Sequence, residues 1–424
     1  MMYNTNPLHG ELTIPGDKSI SHRSVMFASL AKGTSHIKGF LPGADCLSTI
    51  HCFRQMGIEI YQEESMVTVT GQGMRGLKKP KSILDCGNSG TTTRLISGIL
   101  AGQNFTSTLT GDESIQKRPM KRIILPLTQM GASIASLRDN GCAPLQITGR
   151  PLHGITYHSP VASAQVKSAI LLAGLYAEGE TSVIEPSVSR NHTEIMLKAF
   201  GADVSCHDTT ASVHHTDELF ASNIEVPGDI SSAAYFIVAA LMIPNSDIIL
   251  HNVGINPTRD GLLRAIEMMG GKIEILSIKN EDTEAIADLH IKSQNLHGAT
   301  FGGDIIPAMI DEIPALAALA CFAEGETIIK DAEELKVKES NRIKVMVEEL
   351  SKMGAQIEET EDGMIIHGKH PLHSAQIDSH KDHRIAMTFS ILSRAIGQDL
   401  PIIDKDCVKI SYPNFYEHLH SLSS

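Results

Sequence analysis

The chain repeats itself, and no other feature constrains its fold as much. Segments 23-RSVMFASLAKGTSHIKGF-40 and 94-RLISGILAGQNFTSTLTG-111 share one pattern: an apolar helical run that ends at a small residue and passes into a short Thr/Ser/Ile strand. The pattern returns at 166-VKSAILLAGLYAEGETSVIEP-186, 233-AAYFIVAALMIPNSDIILHNV-253, 315-ALAALACFAEGETIIKDA-332 and 385-IAMTFSILSRAIGQDLPIID-404, with copies starting about 70 residues apart. Helices that are apolar all round belong at the centre of a domain. A second helix type alternates with them and ends in a Met/Phe–Gly pair: Met56-Gly57, Met130-Gly131, Phe200-Gly201, Met269-Gly270 and Met353-Gly354. Gly after a last helical turn is expected to adopt the left-handed cap. Six units in 424 residues predict two similar α/β domains of three repeats each. The turns 14-IPGD-17 and 226-VPGD-229 open corresponding stretches of the two halves, and a cleft between such halves is the expected place for a ligand.

Composition narrows the partners. A formal net charge of -13, with no block of like charges, argues against a nucleic-acid or anionic-membrane surface. The seven cysteines, at 46, 52, 86, 142, 206, 321 and 407, form no CxxC pair, and this odd, scattered set argues against a disulfide framework and a zinc site and for a reducing compartment. The first residues carry no signal-peptide pattern and no apolar run reaches membrane length, so the expected location is cytoplasmic. The 20 histidines include no HExxH, and no metal is expected. The string 71-GQGMRG-76 has dinucleotide-loop spacing, but 77-LKKPKS-82 opens no helix after it, so it reads as a turn.

Within this acidic chain, cations gather where strands hand over to helices. In 16-GDKSISHR-23, Lys18 and Arg23 sit where free helix N–H groups already favour an anion. The second copy, 226-VPGDISSAAYF-236, keeps the turn but has Ile230 and Tyr235 instead, so the fold does not require the two cations. The same arrangement recurs in 87-GNSGTTTR-94, in 163-SAQVKS-168, before the helix of 187-SVSRNHTE-194, and in 338-KESNR-342 and 382-DHR-384. Arg118 lies in the polar loop 111-GDESIQKRP-119. Glu339 and Arg342 have the spacing of an ordinary ion pair on a helix face. Asp311 stands at the mouth of the apolar helix in 304-DIIPAMIDEIPALAALA-320, as either a cap or a desolvated base.

Taken together, 16-GDKSISHR-23, 87-GNSGTTTR-94, 118-RP-119, 338-KESNR-342 and 382-DHR-384 resemble, in order, the motifs of the 5-enolpyruvylshikimate-3-phosphate synthase family. The resemblance implies a two-domain inside-out α/β barrel. Residues 16–226 would form one domain, and 1–15 with 227–424 the other, the substrates lying between. It implies transfer of the enolpyruvyl group of phosphoenolpyruvate to the 5-hydroxyl of shikimate 3-phosphate, with loss of phosphate, in aromatic amino-acid biosynthesis. No metal or organic cofactor would be needed, and a monomer is expected. By the same resemblance, Lys18, Ser19, Arg23, Ser163, Ala164, Gln165, Arg190, Asp311 and Lys338 would contact shikimate 3-phosphate. Lys18, Gly90, Thr91, Gln165, Arg118, Arg342 and Arg384 would hold phosphoenolpyruvate. Asp311 would act on the attacking hydroxyl, and Glu339 with Lys18 on the methylene carbon. Some family members have a second Ser in place of Ala164 and a Tyr in place of Arg190. UDP-N-acetylglucosamine enolpyruvyl transferase, which is similar in fold, carries a Cys in the mobile loop, and 111-GDESIQKRP-119 has none. A non-catalytic anion binder would need the cations but neither Asp311 nor Glu339.

Overall fold

The computed structural model describes residues 5–280 and 283–422 and shows a mixed α/β chain. It forms two compact units that divide between Asp17 and Lys18 and again between Val226 and Pro227. The first division falls two residues later than the sequence placed it. The Asp17 N–H donates to Pro227 O at 2.7 Å, its carboxylate lies 3.2 Å from Arg259, and Gly16 bridges Gly228.

In the 18–226 unit three sheets share one plan. A short strand runs parallel to the strand that follows the buried helix, and an antiparallel hairpin completes the sheet. Leu84–Asp85, Thr106–Thr110, Leu145–Thr148 and Ser133–Ser136 form one such sheet, in that spatial order. Thr156–His158, Thr181–Ile184, Thr210–Val213 and Val204–His207 form another. Leu219–Phe220, Ala31–Lys38, Met66–Gln72 and Glu59–Glu63 form the third, with Ile224–Glu225 also on Ala31–Lys38. In the first two sheets the parallel step follows from the helix between its two strands, which returns the chain in the same direction; in the third the partner strand Leu219–Phe220 comes from the end of the unit.

Two sheets of the other unit repeat this order. One joins His9–Thr13, Asp247–Gly254, Ile286–Lys292 and Glu274–Lys279, so a strand from the start of the chain completes a sheet built after residue 227. The other joins Thr300–Phe301, Glu326–Ile329, Met364–His367 and Gln356–Glu359. The last repeat segment is shorter. Its only sheet is the parallel pair Ile377–Asp378 and Ile402–Ile403, after which the chain turns into the helix Phe415–Ser421.

The apolar helices fill the two cores. All thirteen residues of Ile230–Met242 and all eight of Ile313–Ala320 are buried. Helices Gly90–Ala101 and Ala164–Gly174 approach so closely that a Cβ on Gly98 would collide with the Ala169 carbonyl oxygen. The five Met/Phe–Gly helix ends behave as expected. Gly57, Gly131, Gly201, Gly270 and Gly354 have φ of 87°, 100°, 90°, 82° and 90°, and each preceding Met or Phe is buried. A side chain with a Cβ resists that conformation, while the residue before it anchors the turn in the core.

Candidate active site

The cations of the 18–226 unit collect at the starts of its helices. Lys18 opens helix Lys18–Leu30 and places Nζ 3.2 Å from Asp45. Arg23, buried on the same helix, donates to Thr193 Oγ1 (2.6 Å), Ser168 Oγ (2.9 Å) and Ser19 O (3.0 Å). Ser168 and Thr193 are themselves 2.6 Å apart, so Arg23 ties together helices Lys18–Leu30, Ala164–Gly174 and His192–Ala199. Arg190 donates to Ser19 Oγ at 3.3 Å. Ser163 is the N-cap residue of helix Ala164–Gly174, whose first residue is Ala164.

A second group of side chains surrounds the start of helix Gly90–Ala101. Ser89 provides the cap, accepting from Thr92 N–H at 3.0 Å, and this leaves the Thr91 hydroxyl to accept from Gln165 Nε2 at 3.0 Å. The other end of the Gln165 amide accepts from Arg94. Arg118 is buried and donates to Asn88 Oδ1 (3.0 Å) and Ser114 Oγ (3.3 Å). Gly90 fits this crowding: a Cβ there would lie 2.9 Å from Arg94 Nη1 and 3.2 Å from Arg118 Nη1. Lys117, next to Arg118, is exposed.

In the other unit, Asp311 is gripped by three cations: Arg342 at 3.1 Å, Lys338 at 3.6 Å and Arg384 at 3.7 Å. Arg342 is 1 % exposed and also contacts Glu339 (2.6 Å) and Asp382 (2.8 Å). The Glu339–Arg342 pair is therefore part of a buried network, unlike the helix-face pair its spacing suggested. Glu339 precedes helix Arg342–Lys352 instead of lying on it. Asp382 caps helix His383–Ile396 by accepting from Arg384 N–H at 3.0 Å. Burial works against its charge, but Arg342 outweighs burial and holds its pKa below the usual carboxylate value. Arg384 and Arg342 stay charged although burial opposes it, Asp311 being the first-ranked carboxylate support for Arg384 and Asp382 for Arg342. Glu312 is the N-cap residue of helix Ile313–Ala320, but its side chain accepts from Ser231 and makes no cap hydrogen bond.

Each expected residue thus falls in one of two clusters. Lys18, Ser19, Arg23, Gly90, Thr91, Arg118, Ser163, Ala164, Gln165 and Arg190 belong to the 18–226 unit, and Asp311, Lys338, Glu339, Arg342 and Arg384 to the other. The sequence reading missed Asp45, Asn88 and Asp382. Asp382 could have been found as a capping residue directly before His383; Asp45 and Asn88 carry no local signal for their partners. Among the described residues, no group of three or more His, Cys, Asp or Glu is placed to hold a metal ion. No helix among them is long and apolar enough to cross a membrane.

Comparison with known proteins shows the family. The family described as EPSP synthase (3-phosphoshikimate 1-carboxyvinyltransferase) matches residues 2–419. The chain belongs to the EPSP synthase family. A 3-phosphoshikimate 1-carboxyvinyltransferase of Bacillus velezensis is 55% identical over 417 residues, which cover 98% of this chain and 97% of that protein. A Bacillus subtilis protein of the same name matches equally well. Among solved structures, EPSP synthase from Acinetobacter baumannii aligns with a TM-score of 0.87 at 46% identity, covering 100% of this chain and 97% of the other.

Proposed function

We propose that this chain transfers the enolpyruvyl group of phosphoenolpyruvate to the 5-hydroxyl of shikimate 3-phosphate, with loss of phosphate. The observation that carries the reading is Arg342, a buried guanidinium in contact with both Asp311 and Glu339. One cation thereby fixes a base and an acid relative to the place where a small carboxylate would bind.

In this reading Arg342 and Arg384 hold the phosphoenolpyruvate carboxylate with their planar forks. Lys18, Arg118, Gln165 and the Gly90–Thr91 helix start receive its phosphate. Ser19, Arg23, Ser163, Ala164, Gln165, Arg190 and Lys338 orient shikimate 3-phosphate. Glu339, aided by Lys18, delivers a proton to C3 of phosphoenolpyruvate, which leaves C2 electron-poor. The 5-hydroxyl attacks C2 while its proton passes to Asp311. The tetrahedral adduct then loses a C3 proton to Glu339, the C2–O bond to phosphate breaks, and the enol ether and inorganic phosphate are released. Proton transfers of this kind need groups held at hydrogen-bond range of the reacting atoms, which the cation contacts of Asp311 and Glu339 support. We also infer the finer architecture, a two-domain inside-out α/β barrel of six repeats; the five sheets of one order and the five Met/Phe–Gly ends support it.

Phosphate release with phosphoenolpyruvate and a choice of acceptors tests the reading. Release is expected with shikimate 3-phosphate, and none with UDP-N-acetylglucosamine or with no acceptor. Release with UDP-N-acetylglucosamine alone would overturn it.

A further inference from the structure

One buried ionic cluster of the 18–226 unit takes no part in this chemistry. Lys167 Nζ lies 2.9 Å from Glu185 and 2.8 Å from Glu194, with all three side chains at most 4% exposed. Lys167 also donates to Ser189 O at 3.2 Å. Burial works against its ammonium charge, yet the two carboxylates outweigh burial and hold its pKa above the ordinary lysine value. Such a cluster is seldom the most stable filling for a core, since apolar side chains of similar volume often do as well or better. Its presence therefore calls for a role in placement.

The Glu185 carboxylate spans two segments. Oε1 accepts from the Ser163 N–H at 3.0 Å, at the start of helix Ala164–Gly174. Oε2 accepts from the Ser189 hydroxyl at 2.9 Å and from the Ser189 N–H at 3.3 Å, one residue before Arg190. We propose that Glu185 is a positioning residue for shikimate 3-phosphate, setting the spacing at which Ser163 and Arg190 meet that substrate. Glu185 is itself fixed by the strand Thr181–Ile184 before it, by its N–H donating to Thr209 O at 3.0 Å, and by Lys167. One carboxylate thus aligns two substrate-facing segments that lie more than 20 residues apart in the chain. The proposal rests on the reading that Ser163 and Arg190 contact shikimate 3-phosphate.

Glu185→Gln is the test. An amide keeps the size but has one acceptor oxygen, so it can serve one segment and not both. The KM for shikimate 3-phosphate is expected to rise about tenfold, the scale of one lost charge-assisted hydrogen bond. The KM for phosphoenolpyruvate should change little, while the unfolding midpoint falls, because the buried Lys167 keeps only Glu194 as a charged partner. Glu185→Asp, which keeps the charge beside Lys167 but shortens the reach, should raise the same KM and provides the reading if the Gln variant fails to fold. A lower kcat with both KM values unchanged, or a KM rise for both substrates alike, would overturn the proposal. Ser163→Ala and Arg190→Lys serve as controls. If they leave the KM for shikimate 3-phosphate unchanged, the placement of that substrate is wrong; if they raise it and both Glu185 variants do not, Glu185 has no positioning role.

Discussion

The two units hold their cations differently. Several in the 18–226 unit lean on neutral oxygens: Arg118 on Asn88 and Ser114, Arg23 on Ser168, Thr193 and a backbone carbonyl, Arg190 on Ser19. In the other unit Arg259, Arg342 and Arg384 are set among carboxylates: Asp17, Asp229, Asp311, Glu312, Glu339 and Asp382. A neutral partner orients a guanidinium without cancelling its charge. A carboxylate partner compensates the charge, and the arginine then serves to place an acid or a base. The first arrangement suits phosphate binding and the second suits proton transfer.

The largest effect should come from breaking the second arrangement. Arg342→Met leaves Asp311, Glu339 and Asp382 buried or half-buried without their shared cation. A loss on the order of 3–5 kcal/mol is expected, as for other buried pairs broken on one side, together with loss of turnover. The urea midpoint of the purified variant measures the first and phosphate release the second. Arg118→Ala probes the other arrangement. Asn88 and Ser114 can turn to water instead, so stability should fall by only about 1 kcal/mol while the KM for phosphoenolpyruvate rises steeply. Equal destabilisation by the two substitutions would break the comparison. Gly90→Ala is the milder probe: its Cβ would press on the flexible ends of Arg94 and Arg118. A several-fold rise in the KM for phosphoenolpyruvate is expected, with the KM for shikimate 3-phosphate and the unfolding midpoint nearly unchanged.

What the sequence made legible follows the same division. The apolar helices and the Met/Phe–Gly ends could be read because each is a local pattern with a local cause: burial on every face, or a left-handed cap. The cations at helix starts could be read for the same reason. Their partners could not. Asp45 reaches Lys18 across 27 positions, Asp382 reaches Arg342 across 40, and Thr193 reaches Arg23 across 170. No spacing rule connects residues brought together only by the stacking of repeats. The Glu339–Arg342 spacing misled for a related reason, since i,i+3 neighbours share a helix face only where both lie on the helix, and Glu339 lies ahead of it. The two-stranded last sheet was equally hidden, because its apolar helix looks like the other five.

A dependence on pH separates the two units again. Asp229 is buried; burial first, and then the neighbouring Asp17, push its carboxyl up to about 6, against the pull of Arg259 and Arg384. Its ordinary value is 3.8. Because the folded-state pKa is the higher one, the folded chain binds the proton more tightly than the unfolded chain. Asp229 therefore contributes less to stability as the pH rises from about 4 to about 6, and its contribution is constant above that. Carboxylates held low, Asp382 among them, slope the opposite way at lower pH, so the informative quantity is the stability of the wild type minus that of Asp229→Asn. This difference should fall by on the order of 1–3 kcal/mol over that window and then level off. Lys167 in the other unit adds no slope over that window, because a lysine whose folded pKa is raised loses its stabilising charge only above the ordinary lysine range.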